Sequence, residues 1–313
     1  MKQGAGVPWF QPRIPLSEHK ECVMEIRFSK MEGTGNDFIV MDDRNGSIEA
    51  GMPYPRLAKE LCDRHFGIGA DGIILVRNSE DHDIRFVIYN SDGSRAGMCG
   101  NGMRCFARYL YENHLVDSKQ IRVQTDAGTV IPEVITDADN RVCAVKVDMG
   151  PPVLSCREIP FVSETDTAIE APIDMGDGRI VTATVMKMGN PHAVVFVDDL
   201  SRVDLASQGR AVEIHPRFPE KTNVEFIQVT DDRTLKMKVW ERGAGITLAC
   251  GTGACAALVA SHLTQRTQNQ ATVLLDGGKL SVAWDKDSNH LYKTGPARLV
   301  FEGCIQVCPD VSK

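Results

Sequence analysis

The chain has 313 residues, which exceeds one ordinary hydrophobic core and predicts two domains. Its content of 42% apolar and 25% charged residues is typical of a soluble globular protein. The net charge of −7, without a basic run or stripe, argues against a nucleic-acid partner. No run of 18 apolar residues occurs, so the sequence predicts no membrane-spanning segment.

The ten cysteines do not follow the spacing of a structural zinc site, and the chain is too long for a disulfide miniprotein. We therefore expect reduced thiols in the cytoplasm and no bound metal. Residues 1–24 contain Pro8, Pro12 and Pro15 but no apolar segment of signal-peptide length, and we interpret them as a flexible extension.

Short strands and few helices are predicted along the first half. The helical spacing of Leu57 and Leu61 predicts a helix over 54–64. A glycine turn at 32–38 places the polar Asn36 just before a buried run. This turn is either an ordinary hairpin, or it directs the Asn36 side chain into a pocket. Apolar runs predict strands at 25–31, 39–41, 73–76, 84–89, 121–125, 129–135 and 142–148.

The second half repeats this rhythm. The sequence Met149-Gly150-Pro151-Pro152 interrupts the strand pattern, and we place the boundary between the halves 25–148 and 149–296 there. A last strand within 297–313 is expected to return to the first half. Further strands are predicted at 181–186, 193–197, 223–229 and 235–240.

Each half contains one cysteine followed by a glycine-rich helix start. The two motifs read Cys99-Gly100-Asn101-Gly102 and Cys250-Gly251-Thr252-Gly253, and an apolar helix follows each. A helix start carries unpaired N–H groups and partial positive charge, so we expect the pKa of a thiol there to be lowered. The glycines are expected to let a ligand carboxylate approach the backbone amides closely.

A single motif of this kind is more typical of an inert buried thiol, but a matching pair favours chemistry. Two facing thiols could form a redox disulfide, bind a soft metal, or act as base and acid on opposite faces of one carbon. Further metal ligands at suitable spacing and a C-x-x-C motif are both lacking. The acid–base interpretation also uses the glycine amides, which would stabilise the carboxylate as an α-proton leaves.

The sequence resembles the diaminopimelate epimerase family from about Ile26 to the C-terminus. This resemblance implies a mixed α/β (α+β) fold with two pseudo-symmetric domains, each a curled, mostly antiparallel sheet around a central helix. The segments that carry it are Gly33-Thr34-Gly35-Asn36-Asp37-Phe38, Asn90-Ser91-Asp92-Gly93-Ser94, Met98-Cys99-Gly100-Asn101-Gly102, Gly189-Asn190-Pro191-His192, Thr222-Asn223-Val224-Glu225, Trp240-Glu241-Arg242-Gly243-Ala244-Gly245 and Ala249-Cys250-Gly251-Thr252-Gly253.

The resemblance implies a role for each motif residue at the reacting centre. Cys99 and Cys250 would be the two acid/base thiols. Our own hypothesis for the direction is that Cys99 is the base for the L,L isomer and Cys250 the acid. Asn36 would line the site near the reacting carbon. Glu241 and His192 would lie by the reacting amine and tune the thiols. The backbone amides that would receive the reacting carboxylate belong to Gly100, Asn101, Gly251 and Thr252.

The distal, non-reacting amino-acid end of the substrate would be bound by a further group. Arg suits this role because it grips a carboxylate with two parallel hydrogen bonds, and Asn supplies both a donor and an acceptor. Without the resemblance, the sequence favours a turn histidine at His192 and a solvated Glu241–Arg242 pair. The distal residues that the resemblance implies are Asn90, Asn190, Asn223 and Arg242.

The resemblance also implies the wider biochemistry. It predicts an isomerase of lysine and peptidoglycan biosynthesis that interconverts L,L- and meso-2,6-diaminopimelate without pyridoxal phosphate or any other cofactor. Its partner would be this small molecule, and neither a nucleic acid nor a membrane. Family members are often homodimers. The expected compartment is the cytoplasm, or the plastid stroma if the source is a plant.

Gly72 departs from the family pattern, since many members carry Gln there, and one minor substrate contact is expected to be lost. Two alternative functions stay open. A proline or hydroxyproline racemase resembles this family in fold and thiol pair, but its substrate has no second amino-acid end to bind. A thiol-based redox or binding protein could also keep the fold without catalysis.

Overall fold

The computed structural model describes residues 23–308, and the strands of this part of the chain form two sheets. In the first sheet the strands follow the order β19-β1-β2-β3-β4-β6-β7, and β5 pairs with β4. Numbered in chain order, its strands are β1 (Met24–Gly33), β2 (Asn36–Asp42), β3 (Gly72–Arg77), β4 (Ile84–Asn90), β5 (Arg95–Ala96), β6 (Val123–Thr125), β7 (Gly128–Val130) and β19 (Arg298–Val307).

The second sheet has the strand order β10-β11-β12-β13-β14-β16-β17-β18-β9-β8, and β15 pairs with β14. Its strands are β8 (Glu133–Thr136), β9 (Val142–Asp148), β10 (Ala168–Asp174), β11 (Ile180–Lys187), β12 (Pro191–Phe196), β13 (Asn223–Asp231), β14 (Thr234–Glu241), β15 (Gly245–Thr247), β16 (Gln270–Leu275), β17 (Gly278–Trp284) and β18 (Leu291–Gly295). Most neighbouring strands in both sheets are antiparallel, and parallel pairs occur at β2–β3, β4–β6, β12–β13 and β14–β16.

Two of the helices lie in the cores of the two halves. The helices of the described region are α1 (Ser47–Gly51), α2 (Tyr54–Cys62), α3 (Gly100–Glu112), α4 (Leu205–Glu213) and α5 (Gly251–Leu263). Helix α3 buries Met103, Phe106 and Leu110 against the first sheet, whereas the Ala-rich α5 is buried on nearly all sides. None of the helices within residues 23–308 has the length and apolar character that a membrane crossing requires.

The predicted fold class is confirmed as a mixed α+β fold, mostly sheet, with one sheet in each half. Strand β19 pairs with β1 from Met24 opposite Val307 to Glu32 opposite Arg298, so the end of the chain joins the first sheet. Residues 1–22 of the extension predicted at 1–24 lie outside the described residues, and Met24 begins β1. Residues 309–313 of the predicted last segment also lie outside them.

Strands β8 and β9 connect the two halves. Their backbone extends the second sheet, because β9 pairs with β18. Their buried side chains, among them Val134 and Val145, instead pack into the core around α3. The division at residue 148 therefore stays a prediction, since hydrogen bonding assigns these strands to one half and side-chain packing assigns them to the other.

The turn between β1 and β2 contacts the second half beside the start of α5. The backbone N–H of Gly277 donates to the carbonyl of Leu248 at 2.8 Å. A Cβ atom at Gly277 would overlap the carbonyl oxygen of Thr34, so only glycine fits there. Because Asn36 follows this turn and Cys250 lies two residues after Leu248, the contact fixes how the two helix starts approach each other.

We expect Gly277→Ala to destabilise the protein by roughly 1–3 kcal/mol, since the added methyl would force the Thr34 turn away from the second half. Urea unfolding would measure this loss. The matched control is Gly97→Ala, because a Cβ there meets only ordinary contacts with Ala127, the nearest at 3.6 Å. Equal stability of the two variants would contradict the proposed role of this contact.

Candidate active site

Cys99 and Cys250 occupy equivalent positions at the starts of α3 and α5. Each is the N-cap residue of its helix, with an extended backbone. Cys99 Sγ accepts the Gly102 N–H at 3.4 Å, and Cys250 Sγ accepts the Gly253 N–H at 3.3 Å. The two motifs that match in sequence therefore match in geometry, and each places a sulfur atom at the positive end of a helix.

Polar groups of the first half surround Cys99. The thiol donates to Asn36 Oδ1 over a long distance of 3.9 Å, and Asn101 Nδ2 donates to the same oxygen at 3.4 Å. Asn36 Nδ2 in turn donates to the carboxylate of Asp71, which also accepts the Asp37 N–H at 3.1 Å. Asp71 is not among the predicted site residues, although it directly precedes Gly72, where the sequence departs from the family pattern.

Cys250 lies in a more enclosed and more acidic environment. Burial raises the pKa of the Cys250 thiol well above its usual range, and the carboxylates of Glu241 and Glu225 raise it further. The Thr252 hydroxyl lies 3.4 Å from the sulfur. The expectation that a helix start lowers the pKa of both thiols is wrong for Cys250, because desolvation and two carboxylates outweigh the helix dipole.

Glu241 is also affected by burial. Burial raises the pKa of its carboxyl group, and the neighbouring Glu225 adds to the shift. The Thr247 hydroxyl donates to Glu241 Oε1 at 2.5 Å. Glu241 is therefore a desolvated carboxylate beside Cys250, and not the solvated partner of Arg242 that the sequence alone favours.

His192 and Glu225 form a pair that is completely buried. His192 Nδ1 lies 2.7 Å from Glu225 Oε1, and His192 Nε2 lies 2.9 Å from Asn190 Oδ1. A Cβ atom at Gly253 would lie 2.6 Å from Glu225 Oε1, so this carboxylate packs against the first turn of α5. One ring nitrogen therefore faces a carboxylate oxygen and the other an amide oxygen, which fixes the orientation of the imidazole.

Glu225 is not among the predicted site residues, although it ends the motif Thr222-Asn223-Val224-Glu225. The strand around Glu225 could have indicated its importance. The first five residues of β13 are all buried, and Glu225 is the only charged residue among them. A carboxylate in such a strand is costly unless it is paired. Its second oxygen, Oε2, has no hydrogen-bond partner among residues 23–308.

The distal residues predicted in the second half form one network. The backbone N–H of Arg242 donates to Asn223 Oδ1 at 2.7 Å, and Asn223 Nδ2 donates to the Pro191 carbonyl at 3.2 Å. Asn190 lies nearby, because its side chain contacts His192, which is the strand partner of Asn223. The Arg242 guanidinium donates to the Glu220 carbonyl at 3.1 Å.

Asn90, the distal residue predicted in the first half, is not part of that network. Its side chain is exposed and donates to Ser94 Oγ at 2.9 Å. Its strand partner is Gly72, where a Cβ atom would lie 2.6 Å from the carbonyl oxygen of Tyr89. The close approach of two backbones therefore explains the glycine at 72, and a longer side chain does not fit this local geometry.

Two buried cations lie beneath the helix starts, and neither was predicted. Arg104 is fully buried and donates to Asn101 Oδ1 at 2.8 Å, to Thr34 Oγ1 at 3.0 Å and to the Pro296 carbonyl at 3.0 Å. Lys293 is also fully buried, and its ammonium group lies beside the backbone of both helix starts. Arg104 therefore ties the β1–β2 turn, the start of α3 and the approach to β19 together.

The space beside the first glycine of each helix is occupied, in contrast to the expectation that it would admit a ligand. A Cβ atom at Gly100 would lie 2.6 Å from Lys293 Nζ, and one at Gly251 would overlap the same atom. The glycines thus make room for an internal cation. The helix N–H groups are a separate feature, and their binding of a carboxylate stays a prediction. Within residues 23–308, no group of three or more potential metal ligands converges.

Comparison with known proteins is consistent with this geometry. The family model described as diaminopimelate epimerase matches residues 28–155 and 184–300. A diaminopimelate epimerase of Desulforapulum autotrophicum is 53% identical over 284 residues, which is 91% of this chain and all of that protein. A diaminopimelate epimerase of Heliobacterium modesticaldum is 48% identical over 89% of this chain and 99% of that protein.

Solved structures share the fold at low sequence identity. A hydroxyproline epimerase of Agrobacterium vitis superimposes with a TM-score of 0.65 at 15% identity, covering 94% of this chain and 95% of that one. A PhzF-family protein of Bacillus anthracis gives the same TM-score and identity, covering 91% of this chain and all of that one. On the family match and the close relatives together, this chain belongs to the diaminopimelate epimerase family.

Proposed function

We propose that this enzyme interconverts L,L- and meso-2,6-diaminopimelate by two-thiol proton transfer, with Cys99 and Cys250 on opposite faces of the reacting carbon. The observation that carries the mechanism is the matched pair of thiols at the starts of α3 and α5. The names of the close relatives support diaminopimelate as substrate and its epimerisation as the reaction.

The isomer that is bound determines which thiol acts as the base. With the L,L isomer, the Cys99 thiolate removes the α-proton, and the electron pair of the broken C–H bond moves into the carboxylate. The Cys250 thiol then gives its proton to the opposite face of the same carbon. The raised pKa of Cys250 supports this order, because a buried thiol between two carboxylates keeps its proton until the carbanion forms.

The reacting end of the substrate is a zwitterion, and the site offers both charges. The amides of Gly100, Asn101, Gly251 and Thr252 receive the α-carboxylate at the two helix starts, where the partial charge is positive. The α-ammonium lies on the side of Glu241 and the His192–Glu225 pair. A buried carboxylate there stabilises an ammonium group strongly.

The distal amino-acid end is recognised by Asn190, Asn223 and Arg242, with Asn90 contributing from the first half. This group favours diaminopimelate over the substrate of a proline or hydroxyproline racemase, which has no second amino-acid end. The shared fold with a hydroxyproline epimerase, at 15% identity, does not decide between them. We further propose a homodimer in the cytoplasm that acts in lysine biosynthesis.

Cys99→Ser and Cys250→Ser test the two-thiol mechanism. We expect each to lose epimerisation by at least about 10²-fold, because a serine hydroxyl is a much weaker acid and base at neutral pH. Epimerisation of diaminopimelate under reducing conditions and uptake of solvent deuterium at the α-carbon are the measurements. Full epimerase activity in either variant would exclude the mechanism, and the absence of deuterium uptake by the wild type would favour a non-catalytic thiol protein.

Arg242→Ala tests the distal site. We expect the KM for diaminopimelate to increase by about 10- to 100-fold with a smaller change in kcat, because a charge-assisted contact remote from the reacting carbon is lost. The control is Arg179→Ala, which removes an exposed ion pair with Asp177. A wild-type enzyme that prefers proline in a substrate panel, or an unchanged KM in Arg242→Ala, would contradict this assignment.

A further inference from the structure

Lys293 occupies a core-facing position on β18. Leu291, Lys293 and Gly295 are buried along this strand, whereas the alternate residues are only partly buried. Its neighbour on β9 is Val147, which belongs to the core around α3. A lysine thus occupies a position that the strand alternation predicts to be apolar.

The ammonium group has no hydrogen-bond partner among the described residues. It lies against the first turn of both central helices, since a Cβ atom at either Gly100 or Gly251 would meet Nζ. These helices are capped by Cys99 and Cys250, so a single buried cation is placed beside both thiol-bearing helix starts.

The surroundings of Lys293 add positive charge and no compensating carboxylate. Arg104 on α3 is also fully buried, and neither cation forms an ion pair within the part of the chain that the structure describes. The starts of both helices contribute further positive charge. The thiols nearby are Cys99 on α3 and Cys250 and Cys255 on α5, while the carboxylates Glu225 and Glu241 lie by Cys250.

A buried charge without a partner is costly, and its cost falls when an anion is brought to it. Burial lowers the pKa of Lys293 from 10.5 to about 8, and the positive charge of Arg104 contributes to this shift. The amine is therefore mainly protonated at pH 7. The anions that the reaction brings to this place are a thiolate and the substrate carboxylate, whose negative charge grows as the α-proton leaves.

We propose that Lys293 is a positioning residue whose ammonium group favours the reaction's anions, a cysteine thiolate and the substrate carboxylate, at the two helix starts. It acts through the helix-start groups and does not itself exchange the proton. This inference rests on the proposed epimerase function, and it adds to that function a dependence of activity on the charge of one buried lysine.

Lys293→Met tests the proposal, because Met keeps most of the length of the side chain and removes its charge. We expect kcat/KM at pH 7 to fall by about tenfold, the effect of one pKa unit in a thiol. The acidic limb of the pH profile should move to higher pH. The difference from wild type should decrease above pH 8, where Lys293 itself loses its proton.

Thermal unfolding is an independent measurement, because we expect the variant that loses activity to gain stability. The pKa of Lys293 is lower in the folded protein than in the unfolded chain, so the folded state below pH 8 carries the full cost of the buried charge. We expect Lys293→Met to raise Tm at pH 7 by about 2–4 °C. This gain should shrink between pH 8 and 10.5, where the unfolded wild type still binds the proton and its folded state does not.

Lys146→Met is the matched control, since Lys146 lies next to Val147 on β9 and its ammonium group is partly exposed beside Glu133. It should change neither the pH profile nor the KM. Lys293→Gln is a second neutral variant and should reproduce the loss at pH 7. Rescue of activity above pH 8 in both variants would support the charge as the cause.

A variant at 293 that is less active and also less stable, with an unshifted pH profile, would assign Lys293 a structural role and overturn the proposal. Unchanged kcat/KM at pH 7 in both neutral variants would overturn it as well. Failure of the underlying function is distinguishable, because the wild-type enzyme would then show no epimerisation of diaminopimelate before any variant is compared.

Discussion

The site depends on the meeting of two helix N-termini in one buried region. Either helix alone would present a thiol, a few free N–H groups and a partial positive charge. Brought together, α3 and α5 place two thiol-bearing helix starts in one region, and the proposed function assigns both thiols and both sets of amides to one ligand. The surrounding architecture serves this arrangement. Arg104 ties the start of α3 to the β1–β2 turn, and the Thr34–Gly277 contact holds that turn against the second half.

A separation of charge across this region follows from the burial of ionisable side chains. Arg104 and Lys293 lie beside the start of α3, and Lys293 also contacts the start of α5, whereas Glu225 and Glu241 lie around Cys250. Each group would be expensive to bury alone, because desolvation penalises the charged form. In the proposed function, a bound amino-acid zwitterion would supply the opposite charge to each side. Recognition of the reacting centre and stabilisation of the charges that move there would then be one electrostatic property of the site.

Much of the secondary structure and the pair of helix-start thiols could be predicted from the sequence, because these features depend on local sequence. The strand alternation, the glycine turns and the cysteine before each helix all depend on near neighbours, and the matched N-caps at Cys99 and Cys250 agree with them. The ionisation of Cys250 could not be predicted in the same way. It depends on carboxylates from β13 and β14, which the fold brings to the sulfur from positions distant in sequence. The boundary between the domains also depends on contacts that are distant in sequence, because β8 and β9 extend the second sheet but pack their side chains into the core of the first half.

The glycines that follow the two cysteines show how one residue type can satisfy two constraints. The sequence predicts that Gly100 and Gly251 allow a ligand to approach the backbone. However, Lys293 Nζ already occupies the space that a Cβ atom would take at either glycine. Backbone amides and the missing Cβ point in different directions from the same residue, so a carboxylate on one side and an ammonium group on the other are compatible. A larger residue at either position would displace the cation before it obstructed a ligand. The glycines thus preserve the internal charge, in addition to the access to the backbone that the sequence predicts.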